Sequence, residues 1–126
     1  MPTETGLISG AAPDLFTDNR VTWAAPVLGG FAGKTILELG PFEGYSTYVF
    51  GIYGAASIIS IEANLVNFLK CLTIKNILNL SATFLYGDFI QYMEQTTRKV
   101  DVCWASGVLY HMTEPLRFLQ AAATKC

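Results

Sequence analysis

The sequence predicts an α/β domain, a mostly parallel sheet between two layers of helices. Three observations carry that expectation. Four short runs rich in β-branched and apolar residues alternate with helix-forming segments in the order β-α-β-α-β-α-β-α. The runs are apolar almost throughout rather than every second residue, as strands covered on both faces are. The composition suits a folded core: of 126 residues, 52% are hydrophobic and only 14% charged, which excludes a disordered chain and leaves room for one domain.

The elements follow in order. Residues 1–17 are rich in Gly, Ala, Pro and Thr and read as an N-terminal arm, with the domain at 18–126. A helix begins at Asp18 or Asn19 as N-cap, with Val21, Trp23, Ala24 and Leu28 as its apolar positions and Pro26 ending or kinking it. Gly29, Gly30 and Gly33 mark a loop. Thr35–Leu39 is the first strand and residues 40–44 a turn. Residues 46–53 form a helix despite their β-branched and aromatic side chains, because a crossover must join two parallel strands. Residues 57–61 are the second strand, ending at Glu62. Asn64 caps a helix whose apolar positions are Leu65, Phe68, Leu69 and Leu72, and residues 76–81 are a looser connection. Residues 82–86 make a third strand closed by Gly87 and Asp88. Phe89–Gln95 is a short helix, and residues 100–105 are the fourth strand. Thr113 caps a last helix that runs to the C-terminus, with Glu114 and Pro115 in its first turn.

Charge and cysteine content narrow the function classes. Eight Lys and Arg against ten Asp and Glu give a net charge of −2, and no basic stripe tracks a phosphate backbone, which speaks against a nucleic-acid partner. Cys71, Cys103 and Cys126 are odd in number, far apart and form no CxxC. They therefore make neither a disulfide framework nor a metal site, and read as reduced, mostly buried thiols of a cytoplasmic protein. No apolar run approaches the roughly 18–20 residues of a membrane helix, and residues 1–5 show no secretory signal.

In a parallel sheet of this kind ligands bind beyond the carboxyl ends of the strands, so the residues following each strand are the candidates. After the first strand, Glu38, Gly40 and Gly44 frame a GxxxG turn in which a backbone approaches a ligand closely. The carboxylate of Glu38 would repel a pyrophosphate and suits a cationic or hydroxyl-bearing ligand. After the second, Glu62 stands about 20 residues past the turn, the spacing of an acid that holds ribose hydroxyls. After the third, Asp88 can accept from an exocyclic amine such as that of adenine, with Phe89 packing on the ring, and can cap the next helix, two uses that are compatible. After the fourth, Ser106, Tyr110 and His111 stand at the same edge. His111 is the single histidine of the chain and a candidate general base, against the alternative of a loop histidine bonded to backbone.

Taken together, Glu38-Leu39-Gly40-Pro41-Phe42-Glu43-Gly44, Glu62, Gly87-Asp88-Phe89 and the run from Val100 to His111 resemble the successive motifs of class I S-adenosylmethionine-dependent methyltransferases. The resemblance implies a Rossmann-like α/β/α fold with strand order 3-2-1-4, here without the last three strands of the family. It implies S-adenosyl-L-methionine as cofactor, with Glu38, Gly40 and Gly44 around its methionine part, Glu62 on the ribose, Asp88 and Phe89 flanking adenine, and Ser106 beside the methionine portion. Tyr110 and His111 then face a small-molecule substrate, with His111 as the base. Phe42 departs from the family pattern, which often has a further glycine there. Two other readings stay open: a non-catalytic cofactor-binding or interaction module built on the same half-fold, and a nicotinamide-dependent dehydrogenase, against which Glu38 and the lack of GxGxxG speak. With this strand order the fourth strand is an apolar sheet edge, which predicts a homo-oligomer paired through it.

Overall fold

The computed structural model describes residues 19–126. The arm expected at residues 1–17, and Asp18 as a possible cap, lie outside the described residues. The elements are α1 (Arg20–Val27), β1 (Thr35–Leu39), α2 (Tyr45–Ile52), β2 (Ser57–Glu62), α3 (Leu65–Leu78), β3 (Thr83–Tyr86), α4 (Phe89–Gln95), β4 (Val102–Trp104), a 3-10 turn (Leu109–His111) and α5 (Pro115–Ala123). The sheet runs β3-β2-β1-β4, and its three pairings are all parallel, so both the fold class and the strand order agree with the sequence reading.

Strand periodicity explains the two cores. On one sheet face Ile36 and Ile58 join Val21, Phe31, Phe50 and Cys71 beneath α1, α2 and α3. On the other, Leu37, Leu39, Ile59 and Ile61 meet Met93, Phe118 and Ala121 from α4 and α5. Successive residues alternate between faces, so Glu38 and its register partner Ser60 continue the row of Ile36 and Ile58. A carboxylate and a hydroxyl thus enter an otherwise apolar layer, next to the cavity edge of the sheet.

Several boundaries differ from the sequence reading for local reasons. Pro26 lies in the last turn of α1, which ends one residue later at Val27, so Leu28 is its C-cap rather than one of its helical apolar positions. Helix α3 continues through residues 76–78, read above as a looser connection. It ends only where Asn79 adopts the left-handed conformation (φ 51°), with Leu80 N–H donating back to the Lys75 carbonyl. Strand β4 is shorter than residues 100–105. Val100 N–H is taken by the Lys125 carbonyl at 2.8 Å, and the Asp101 carboxylate accepts from both the N–H and the hydroxyl of Thr35. Thr113 does not cap α5. Glu114 occupies that position without a side-chain cap bond, because its carboxylate is engaged by Arg117 at 3.0 Å and Pro115, lacking an N–H, leaves one donor fewer to cap. The helix stops at Ala123, short of the C-terminus.

Candidate functional site

A cavity of about 630 Å³ opens beyond the carboxyl ends of β1, β2 and β4. Most of its wall comes from three segments, the turn after β1 with the start of α2, the residues from Glu62 into the start of α3, and the stretch from Trp104 to Met112; Arg20 of α1 and Phe89 of α4 complete it. In the order 3-2-1-4 the chain leaves β1 toward β2 on one side and returns to β4 on the other. The gap between the ends of β1 and β4 is therefore the crevice where open α/β sheets take ligands.

The β1 turn is shaped by backbone constraints. Gly40 has φ +70°, and a Cβ there would lie 2.7 Å from Cγ1 of Val108, so only glycine leaves Val108 in place and the backbone open to the cavity. Phe42, two residues on, has φ +60°, a conformation a side-chain-bearing residue adopts rarely. Its N–H donates to Glu62 Oε2 at 3.1 Å, and its carbonyl accepts from the Cys71 thiol at 3.1 Å.

Two carboxylates dominate the chemistry. Glu38 is 1% exposed. Its Oε2 accepts from the hydroxyls of Thr47 on α2 and Ser60 on β2, the latter at 2.7 Å. Burial pushes the Glu38 carboxyl up to about 7, the two hydroxyls oppose that rise, and neighbouring Glu62 adds to it. Glu62 is 6% exposed. Its Oε2 takes the Phe42 N–H and its Oε1 takes the Asn64 N–H at 3.0 Å. Each oxygen of an ionised carboxylate has two lone pairs, so Glu62 is fixed in orientation while keeping capacity for two further donors.

Glu38, Gly40, Glu62, Phe89, Ser106, Tyr110 and His111 all line the cavity; Gly44 and Asp88 do not. Gly44 is the N-cap of α2 (φ +87°) and faces Ile74 and Phe84 beneath α3 rather than the opening. The Asp88 carboxylate accepts the Gln91 N–H at 2.8 Å and caps α4, one of the two compatible uses expected of it. Capping starts α4 at Phe89, the residue that does reach the wall. The rings of Tyr110 and His111 touch at a centroid distance of 4.0 Å, tilted by 40°, on the 3-10 turn, where His111 N–H donates to the Val108 carbonyl. Tyr110 is 78% exposed.

Other wall residues escaped the sequence reading. Arg20 reaches the cavity from α1, and no signal in its surroundings marks it. Trp104 presents one side to the cavity and packs edge-on against Phe50 at 5.5 Å. Thr47 and Ser60 carry Glu38; the β1–β2 register pairs Ser60 with it, and counting alternate residues along both strands would have found that hydroxyl. Among the described residues no group of three or more His, Cys, Asp or Glu is placed to hold a metal ion, and no helix is long and apolar enough to cross a membrane. The three cysteines are free, with Cys71 buried, Cys103 half-buried and Cys126 exposed, so burial holds for fewer of them than expected.

No protein-family model matches the chain. Among curated proteins it is 28% identical over 123 residues to the tRNA U34 carboxymethyltransferase of Marinobacter nauticus, an alignment spanning 94% of this chain and 37% of that protein. Among solved structures it superposes on the N-terminal domain of EvdMO1, crystallised in the presence of SAH and D-fucose, with a TM-score of 0.73 and 22% identity, over 94% of this chain and 51% of that one. A SAM dependent methyltransferase from Aquifex aeolicus matches with a TM-score of 0.72 and 16% identity, over 90% and 61% of the two chains. The chain thus spans about a third of the length of the curated relative and about half of the first of these structures. With four parallel strands ordered 3-2-1-4 and the crevice at their carboxyl ends, the chain has the fold of the S-adenosylmethionine-dependent methyltransferases.

Proposed function

We propose that residues 18–126 are the cofactor-binding part of an S-adenosyl-L-methionine-dependent methyltransferase acting on a small-molecule acceptor in the cytoplasm. The observation that carries this reading is Glu62: a carboxylate at the end of β2, oriented by two backbone N–H groups, with lone pairs left for a pair of vicinal hydroxyls. The structures crystallised with SAH have the same fold and support the choice of ligand.

The residues present fit that group. Gly40 keeps the turn free of a side chain. Glu38, at the other carboxylate position, suits the ammonium of the methionine portion, and Ser106 offers a hydroxyl near it. Phe89 supplies an aromatic face for adenine. Asp88 and Gly44 act one step back, by starting α4 and α2 where Phe89 and the β1 turn need them. The bound sulfonium supplies an activated methyl group, so the protein's share is mainly to align the acceptor with it. His111, exposed beside Tyr110 on the acceptor side, removes a proton from an acceptor that carries one.

A second reading has one observation behind it: the name of the Marinobacter relative gives tRNA as what it acts on. The net charge of −2 favours the small molecule. Transfer of labelled methyl groups from S-adenosylmethionine to a metabolite extract and, in parallel, to bulk tRNA separates the two. Label in the small-molecule fraction is the expected result; label in RNA moves the acceptor to the second reading. Cofactor binding with no label in either fraction, and no carboxymethyl group gained by tRNA when a carboxymethyl sulfonium donor replaces S-adenosylmethionine, makes the chain a non-catalytic module. Strand β4 forms one edge of the sheet, and we propose that it pairs copies of the chain; light scattering at micromolar concentration should give a mass above that of one chain.

A further inference from the structure

The β1 turn holds one residue that local sterics disfavour and that the surrounding structure nonetheless enforces. Phe42 sits at φ +60° between Gly40 at +70° and Gly44 at +87°. A glycine would adopt that conformation without cost, whereas a phenylalanine brings its Cβ against its own backbone. Strained residues of this kind persist where neighbours over-determine them, and they gather at ligand sites. Both backbone groups of Phe42 are tied: the N–H to the Glu62 carboxylate and the carbonyl to the Cys71 thiol. Cys71 is fully buried, and burial with nearby carboxylates pushes its thiol up to about 12, so it keeps its proton and remains a donor. The outcome of this fixed geometry is an apolar ring, 43% exposed, on the wall of the cavity beside Glu62 and Asn64.

We infer that Phe42 is a binding and specificity residue whose ring packs on the nucleoside portion of the ligand held by Glu62. The inference rests on the cofactor reading above and deepens it. An exposed phenyl group gains little in water, and the left-handed turn that presents it would form more easily with glycine. Burial of the ring against a flat ligand gives the arrangement its use, and the shared hydrogen bond places ring and ribose-binding carboxylate as one unit.

The test uses Phe42→Gly and Phe42→Leu, with calorimetric titration of S-adenosylhomocysteine and of adenosine and a thermal melt of each protein. Phe42→Gly keeps the N–H that orients Glu62 and relieves the backbone, so its melting temperature should stay within a few degrees of wild type. Its affinity for both ligands should fall by the same factor, about 5- to 150-fold, as loss of one aromatic–base contact implies. Phe42→Leu should recover part of that loss. Wild-type affinity in Phe42→Gly, or a loss confined to S-adenosylhomocysteine with adenosine unaffected, overturns the inference while leaving the cofactor reading intact. Absence of S-adenosylhomocysteine binding by the wild-type chain overturns the cofactor reading, and this inference with it. If Phe42→Gly fails to fold, Phe42→Leu decides: leucine keeps apolar bulk but lacks a π face, so adenosine affinity equal to wild type contradicts the inference.

Discussion

The two ends of the cavity are built differently. At the β1–β2 end, Glu38 and Glu62 are both buried, each carboxylate has two named donors, and a turn with three left-handed residues fixes the backbone between them. At the β4 end, Tyr110 and His111 are exposed on a single 3-10 turn, where their rings touch and the His111 N–H donates to the Val108 carbonyl of the same loop. Buried and doubly held groups are preorganised for one ligand; exposed groups on a short turn leave the partner's shape open. On the proposed function, the difference is a division of labour in which one end takes a constant cofactor and the other meets the acceptor.

Substitutions at the two ends should therefore separate binding from turnover. The largest effect belongs to Glu62→Ala. It strands the N–H groups of Phe42 and Asn64 and, on the proposed function, removes the acceptor for two ribose hydroxyls. With charge-assisted bonds worth about 1.5–3 kcal/mol each, affinity for S-adenosylhomocysteine should fall at least about 100-fold by calorimetry. His111→Ala makes the opposite cut. Turnover of a proton-bearing acceptor should drop about 10²- to 10⁴-fold with cofactor affinity unchanged; an unaltered rate across pH removes His111 from the chemistry.

Glu38 sharpens the contrast through pH. Its carboxyl stands near 7 in the folded chain against 4.5 when unburied, so the folded state holds the proton more tightly. The stability this provides is complete below pH 4.5 and is lost as pH rises through about 7, to a total of roughly 3 kcal/mol. Glu38→Gln should flatten the dependence of the denaturation midpoint between pH 4.5 and 7; a slope equal to that of wild type contradicts this. A smaller cost follows at Gly40→Ala, where the new Cβ meets Val108 Cγ1 and the backbone stays left-handed. About 1–3 kcal/mol of stability should be lost in urea unfolding. Tyr110→Ala, on the open side, should change stability by less than about 0.5 kcal/mol.

The fold was legible because its signals are local and repeated. Apolar runs such as Thr35–Leu39, set between turn glycines and helix caps, name their own strands, and alternation alone implies parallel pairing. Boundaries failed where a distant partner decides them. Val100 left the strand because Lys125 takes its N–H, and Glu114 rather than Thr113 begins α5. Of the cavity wall, Glu38, Gly40 and Glu62 could be located by their position after strands, whereas Gly44 and Asp88, placed by the same rule, start helices and do not reach it. The contribution of Arg20 could not be located so, since α1 is brought to the cavity only by tertiary packing. Phe42 was visible merely as a missing glycine; its conformation depends on Glu62 and Cys71, which lie 20 and 29 residues away.

The central claim, a cavity built at its β1–β2 end for S-adenosyl-L-methionine, is tested most directly by calorimetric titration of the chain with S-adenosylhomocysteine and, separately, with NAD. Saturable binding of S-adenosylhomocysteine with no heat from NAD is the predicted result. Binding of NAD without S-adenosylhomocysteine, or of neither, would contradict it.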